Sequence, residues 1–310
     1  MTSQVVKPLP GASFHTDKTS KYFLPNEYDN HHYIFHDAML TILGSAVERE
    51  RLRAQHEAIV AFMHNQPVHA PVEDPRTILD IGCGVNASMT ILLAKKFPNA
   101  KVYGIDLSSI DIGDFKPSNV SFIQGNIHNL IDKDPRLQRG SADYIYSRFM
   151  AAGVEDWQEH IKGISTLLAP SGYLELHEGI RASWRSTVTD EEVSKEWRWL
   201  HLMHPGMFWP ENDPTGLNFF QFRFQTSGLG DVNGKVYKLA PSKESHAQLW
   251  SRYAEELFPT SWVGPIQRLM PGAENEEKRR KLEEELFETL KPREDVYFPC
   301  IVVWGRKTAE

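Results

Sequence analysis

The clearest chemistry in the chain lies in two aspartates and two glycines. The segment Ile78-Leu-Asp-Ile-Gly-Cys-Gly-Val-Asn-Ala87 opens on a short apolar run, ends in Gly82 and Gly84, and gives way to a helical pattern from Ser88. Glycines at such a turn let the backbone approach a ligand closely, and the following helix N-terminus faces that ligand with free N–H groups. Asp106 ends the next β-branched run, about 20 residues beyond the glycines, where a carboxylate can accept both hydroxyls of a ribose.

Asp80 discriminates between nucleotides. It stands two residues before the first glycine, where a carboxylate repels a pyrophosphate and attracts an ammonium. Gly82-x-Gly84-x-x-Ala87 does satisfy the dinucleotide pattern, so a nicotinamide oxidoreductase stays as a distant alternative. S-Adenosylmethionine has an α-ammonium, a sulfonium and no phosphate, and suits the pair of aspartates better.

A second group of residues could contact an acceptor. Four of the eight tryptophans, Trp184, Trp197, Trp199 and Trp209, fall close together, with Met203, Met207 and Phe208 among them. They predict either an aromatic-lined pocket or a packed helix face. His201 and His204 are candidate bases, as is Glu178, with His177 a weaker one. The His201-x-x-His204 spacing mimics half a metal site, but neither Cys83 nor Cys300 lies nearby and no third ligand is evident, so no metal is expected. His36, with His31 and His32, could face the same region from the N-terminal side.

The elements that must position these residues alternate. Strands are expected at Thr77 to Ile81, Lys101 to Asp106, Val120 to Gln124, Ala142 to Ser147 and Tyr173 to His177. Helices lie between them, one starting at Asp156 with Glu159 three residues on as a capping box. Pro170-Ser171-Gly172 is expected to end that helix. The alternation predicts an α/β fold with a doubly wound, mainly parallel sheet. Further helices are expected from Thr189 to about His204, over Asn218 to Thr226, around Glu244 to Leu257 and around Asn275 to Leu290. Strands are expected at Val232 to Leu239 and Tyr297 to Trp304, the last as an added antiparallel strand. Residues 1–20 read as a mobile arm and 21–70 as a helical cap whose Glu48, Arg49, Glu50, Arg51 and Arg53 occupy solvated faces. Residues 71–310 read as one domain with insertions at about 180–216, a lid, and 240–295.

Composition narrows the function. The 310 residues carry a formal net charge of −7, which argues against a bulk nucleic-acid partner. Two cysteines exclude a disulfide framework and favour a reducing compartment, the cytoplasm. Met1 to Asp17 lacks a signal-peptide pattern, and no apolar run approaches the length of a membrane span, so no membrane partner is expected. A homodimer stays open. Lys278-Arg-Arg-Lys281 is flanked by glutamates and reads as i,i+4 pairs on a solvated helix.

Asp80-Ile-Gly-Cys-Gly84 with Gly104-Ile-Asp-Leu-Ser108 resembles the class I S-adenosylmethionine-dependent methyltransferases. Ala142-Asp-Tyr-Ile-Tyr-Ser-Arg148, Leu167-Leu-Ala-Pro-Ser-Gly-Tyr-Leu-Glu175 and Thr226-Ser-Gly-Leu-Gly-Asp231 extend the likeness over about residues 77–305. Tyr22-Phe-Leu-Pro-Asn-Glu27, Ser147-Arg148 and Asp156-Trp157 narrow it to fungal LaeA-like and related methyltransferases of secondary metabolism. The resemblance implies a Rossmann-like, seven-stranded sheet with an N-terminal helical cap and helical lid insertions. It implies that Asp80, Gly82 and Gly84 meet the methionine end of S-adenosylmethionine, Asp106 the ribose and Leu107 the adenine. Asn126 and Ile127 would meet the adenine edge, Ser147 and Arg148 would line the methionine moiety and the methyl-transfer channel, and Tyr22 would close the site.

Three departures from the family pattern stand out. Asn86 replaces a third glycine and is expected to tolerate a left-handed turn. Asn126 replaces a frequent aspartate but keeps an acceptor oxygen. Glu27-Tyr-Asp-Asn-His-His-Tyr33 lacks the acidic run with Arg-Leu of many LaeA-like members. The implied activity is methyl transfer to an oxygen, nitrogen or sulfur of a small, largely apolar natural product, releasing S-adenosylhomocysteine. Two alternatives are a LaeA-like regulator acting through protein partners and a methyltransferase-fold cyclase that transfers no methyl.

Overall fold

The computed structural model describes residues 46–308, apart from 111, 114, 115, 152, 155, 180–182, 204–212, 214 and 271. A helix, α1 (Ala46–Phe62), precedes the sheet. There follow β1 (Thr77–Ile81), α2 (Ser88–Lys96), β2 (Lys101–Asp106), β3 (Val120–Gln124), α3 (Ile127–Leu130), β4 (Ala142–Arg148), α4 (Trp157–Ser165) and β5 (Leu168–Gly179). The C-terminal part holds β6 (Arg185–Ser186), α5 (Arg198–Met203), α6 (Leu217–Thr226), β7 (Leu229–Leu239), α7 (Gln248–Glu256), α8 (Thr260–Leu269), α9 (Glu276–Thr289) and β8 (Val296–Lys307).

Seven strands lie side by side in the order β3-β2-β1-β4-β5-β8-β7. The first five are parallel, and β8 runs antiparallel to both β5 and β7. The two-residue β6 joins the start of β8. The strand order reverses between β1 and β4, and α/β sheets bind ligands outside the carboxyl ends of strands at such a switch point. Among the described residues no helix is long and apolar enough to cross a membrane.

Alternation along the strands builds the layers. Leu79, Ile81, Ile145, Leu174, Leu176, Ile301 and Val303 bury one face with residues of α4 and α6. On the other face Ile78, Val102, Tyr144 and Tyr146 pack with Met89, Leu93 and Ala94 of α2. Further along that face Phe298, Cys300 and Val302 pack with α1 and the C-terminal helices. Local signals start the helices. Asp156 caps α4 by accepting from the N–H groups of Gln158 and Glu159, and Asp213 accepts from Asn218 and Phe219 at the start of α6.

Four expectations are corrected. No helix starts at Thr189: Arg185 bridges Glu192 there, and helix is confined to α5 because the segment is drawn into pairing with β8. Pro170-Ser171-Gly172 does not separate helix from strand but lies inside β5, where a bulge against β4 absorbs it. α8 was not foreseen, since Gly264 and Pro265 interrupt its pattern. Arg49 and Arg51 do not sit on a solvated face. Arg49 Nη1 donates to the Val85 carbonyl, and Arg51 Nη1 and Gln55 Nε2 donate to the Tyr253 hydroxyl of α7.

Between the two apolar clusters of the second face lies a buried polar group. Glu175 of β5 accepts from the N–H groups of His69 and Ala70, from the Tyr144 hydroxyl at 2.9 Å and from His177 Nε2 at 2.6 Å. This fastens the 66–76 connection across the sheet. Burial alone would raise the Glu175 carboxyl, but hydrogen bonds from His177, His69 and the Ala70 N–H bring it down to about 2. A depressed carboxylate contributes stability that is present above its unfolded value of 4.5 and is lost as pH falls towards 2. The amount is about 3 kcal/mol, at roughly 1.4 kcal/mol per pKa unit. Thermal melts from pH 6 to pH 3 should therefore show wild type losing more stability than Glu175→Gln, which starts lower. Parallel pH profiles would contradict this assignment.

Candidate functional site

The glycine turn is held from β2. Asp106 Oδ2 accepts the Gly84 N–H at 2.9 Å, and Oδ1 accepts the Ser108 N–H at 2.9 Å. Gly82 and Cys83 both donate to the Ile105 carbonyl. Gly82 has φ +72°, and a Cβ there would lie 2.0 Å from Met150 Sδ. Gly84 has φ +69° and open space where its Cβ would point. One glycine is therefore demanded by packing, while the other leaves room for a ligand against the backbone.

Asp80 is buried beneath this turn and accepts from the Thr90 hydroxyl of α2 at 2.5 Å. Burial raises its carboxyl to about 6, with Asp106 adding to the rise and Thr90 and Arg148 opposing it. Such a carboxylate gains from any cation brought to it.

Across β4 the chain makes a sharp turn. Arg148 ends the strand, and Phe149 follows at φ 56°, a left-handed conformation that costs a bulky residue of the order of 1 kcal/mol. The Phe149 N–H donates to the His177 carbonyl, and the Met150 N–H to Glu178 Oε1 at 2.8 Å. Glu178 thus holds Met150 against Gly82. Arg148 Nη2 lies 2.9 Å from His56 Nδ1 of α1. Burial, then the charge of Arg148, push His56 down to about 3, so it is neutral and accepts from the guanidinium.

Several sequence-predicted residues do other work than expected. Asn86 does not take the left-handed conformation; Ala87 does, at φ 45°, and Asn86 Nδ2 donates to the Arg49 carbonyl, tying the loop to α1. Ser147 is buried with its hydroxyl on the Ile81 carbonyl, which joins β4 to β1. Asn126 caps α3 by accepting the His128 N–H, and Ile127 is buried in the core. Leu107 is half-buried beside Asp106, with its carbonyl on Gln124 Nε2.

The tryptophans pack instead of opening a pocket. Trp184 contacts the rings of Trp197, Trp199, Phe258 and Phe298, and Trp197 stacks on Trp199. Trp199 is fully buried, with its indole N–H on Thr289 Oγ1. His201 is exposed, with Nε2 2.5 Å from the Lys195 carbonyl. Tyr22, His36, His204, Met207, Phe208 and Trp209 lie outside the described residues, as does the side chain of Met203.

His69, Glu175 and His177 bring three metal-ligand atoms within 4.8 Å of one another. Each ring is already engaged on both sides: His69 Nε2 meets the Tyr237 hydroxyl at 2.7 Å, and the Tyr146 hydroxyl meets His177 Nδ1 at 3.2 Å. Each of those ring nitrogens thus has a hydrogen-bonding partner, so the cluster is complete as a fastening for the connection. The residues missed from sequence are His56, Thr90, Phe149 and Met150. His56 sits in a charge-rich helix, and no local pattern marks a left-handed phenylalanine.

Residues 50–221 match the family described as a methyltransferase domain, and the chain belongs to that family. It is 27% identical to the methyltransferase grgD of a Penicillium species over 158 residues, 47% of this chain and 54% of that protein. It is 32% identical to the secondary metabolism regulator laeA of Coprinopsis cinerea over 104 residues, 32% of this chain and 24% of that protein. The matched stretches thus span about half, or less, of these relatives. Among solved structures, a Haemonchus contortus phosphoethanolamine N-methyltransferase 2 aligns over 82% of this chain and 53% of its own, with 15% identity and a TM-score of 0.46.

The raised Asp80 has a measurable signature. Its folded value exceeds the ordinary 3.8, so the fold binds the proton more tightly than the unfolded chain and stability falls as pH rises from about 4 to 6. Asp80→Asn should therefore melt like wild type near pH 4 and higher than wild type at pH 7, by about 1–3 kcal/mol. A variant less stable at pH 7 would show that the charged form is already satisfied.

Proposed function

We propose that the chain transfers a methyl group from S-adenosylmethionine to an oxygen, nitrogen or sulfur of a small, largely apolar natural product. The observation that carries this reading is the pairing of Asp80 and Asp106 around an open glycine turn at the switch point of the sheet. Asp106 accepts from the Gly84 and Ser108 N–H groups, which fixes its carboxylate beside the open glycine turn, where a carboxylate can hold the two hydroxyls of a ribose. Asp80, buried and reluctant to ionise, is matched to an ammonium and ill matched to a pyrophosphate. Membership of the methyltransferase-domain family and likeness to grgD support the same reading.

S-Adenosylmethionine bound here would supply a methyl group on a positive sulfur. The work left to the protein is positioning and exclusion of water. Gly84 and Asp106 would set the nucleoside, and Asp80 the amino-acid end. Met150, held by Glu178, would close over Gly82. The helix 46–62 and the C-terminal helices linked to it would cover the acceptor side. Cys83 is not suited to act as a nucleophile, because burial and then the charges of Asp80 and Asp106 raise its thiol well above the usual range.

Titration calorimetry with S-adenosylhomocysteine tests the reading. Wild type should bind it and show no heat with NAD. Asp106→Ala should weaken binding roughly 10- to 100-fold, the scale of lost hydrogen bonds to a charged group. No binding by wild type, or an unchanged affinity in Asp106→Ala, would overturn the proposal.

A further inference from the structure

We propose that Thr90 is the positioning residue of the site: its hydroxyl fixes the Asp80 carboxylate for the ammonium of S-adenosylmethionine, and that ammonium displaces a proton from the carboxylate as it binds. The inference rests on the proposed methyl-transfer site and names the residue and the proton that govern its amino-acid end.

The contact is short and buried. Thr90 is the third residue of α2 and wholly shielded from solvent, and its Oγ1 donates to Asp80 Oδ2 at 2.5 Å. That is the length of a hydroxyl bond to a charged acceptor. The Thr90 N–H belongs to the first turn of the helix, where backbone donors have no partner within the helix, and it too favours the charged carboxylate. Strand β2 makes room for the hydroxyl, since a Cβ at Gly104 would lie 2.9 Å from Thr90 Oγ1. A valine would keep the shape of this side chain and remove its donor. Packing and positioning can therefore be separated at this residue.

The charges around Asp80 are few. Asp106 of β2 opposes its ionisation, and Arg148 at the end of β4 favours it. Tyr144 and Tyr146 of β4 and Cys83 of the turn act on it as neutral groups, since burial raises all three. Helix α1 brings Arg49 to the Val85 carbonyl and the neutral His56 to Arg148. The balance leaves the carboxyl at about 6, so without a ligand it is about half protonated at that pH. An ammonium placed against it favours the charged form and drives the proton off to solvent. Binding therefore weakens as pH falls through 6. Thr90 opposes the rise in Asp80, so its hydroxyl keeps that loss of affinity below neutral pH.

Titration calorimetry with S-adenosylhomocysteine from pH 5 to pH 8, in buffers of different ionisation enthalpy, reads both affinity and protons released. Wild type should bind about ten-fold more weakly at pH 5 than at pH 7 and release about half a proton at pH 6. Asp80→Asn should bind more weakly and show neither effect. Thr90→Val should weaken binding about five-fold at pH 6 and move the fall in affinity up by about one pH unit. Thr90→Ser should restore the wild-type profile. Thr90→Ala, the second variant should Val fail to fold, should behave as Val. 5′-Methylthioadenosine, which lacks the amino-acid end, should bind Thr90→Val within about two-fold of wild type at every pH. Equal losses for both ligands would assign Thr90 to packing and overturn the inference, as would an unmoved pH profile. A proton release that persists in Asp80→Asn, or a wild-type affinity that is flat from pH 5 to pH 7, would do the same and leave the proposed function standing. Failure of wild type to bind S-adenosylhomocysteine would overturn the proposed function, and this inference with it.

Discussion

One carboxylate ties the site together. Asp106 stands at the end of β2 and grips the Gly84 N–H of the neighbouring loop, 2.9 Å away, while its other oxygen caps its own turn at Ser108. That bond, with those of Gly82 and Cys83 to the Ile105 carbonyl, holds the glycine turn in the conformation that opens the space over Gly84. Asp106 also acts on Asp80 directly, its charge adding to the rise that burial causes. The turn is also pressed from the other side by Met150, whose own position follows from Glu178 and from the conformation of Phe149.

The second face of the sheet treats its charges unequally. Glu175 is fully buried and surrounded by donors, and its carboxyl is held low. Asp80 has one hydroxyl partner, and burial leaves it near 6. Arg148 meets the neutral His56 through Nη2, lies over the Phe149 ring, and its charge opposes the rise of Asp80. Hydrogen-bonding capacity is thus exhausted where the face only fastens the 66–76 connection, and left over at the carboxyl edge. Spare capacity on buried charges is the physical form of a binding site, because a ligand can supply what the fold withholds.

The sheet was legible because its signals are local. Thr77–Ile81, Lys101–Asp106 and Val120–Gln124 were each bounded by turn residues, and their β-branched and apolar runs matched the strands residue for residue. The glycine turn and Asp106 were legible for the same reason, since their spacing is a property of one strand–turn–helix unit. The acceptor side was not. His56 meets Arg148 across 92 positions, which no local pattern records. The tryptophan density allowed a pocket or a packed face, and packing is what the fold makes of it: Trp184 and Trp199 meet the rings of Phe258, Trp262 and Phe298, which arrive much later in the chain. Thr189 had the residues of a helix cap, but pairing of Arg185 with Glu192 and β8 overrode that preference.

The central claim is that a preformed cradle between Asp80 and Asp106 receives S-adenosylmethionine. A crystal structure of the protein with S-adenosylhomocysteine tests it most directly. The account predicts a nucleoside lying over Gly84 with both ribose hydroxyls on the Asp106 carboxylate, the ammonium towards Asp80, and the Gly84 N–H bond to Asp106 retained. Density for the ligand elsewhere, or a ribose that makes no contact with Asp106, would contradict it.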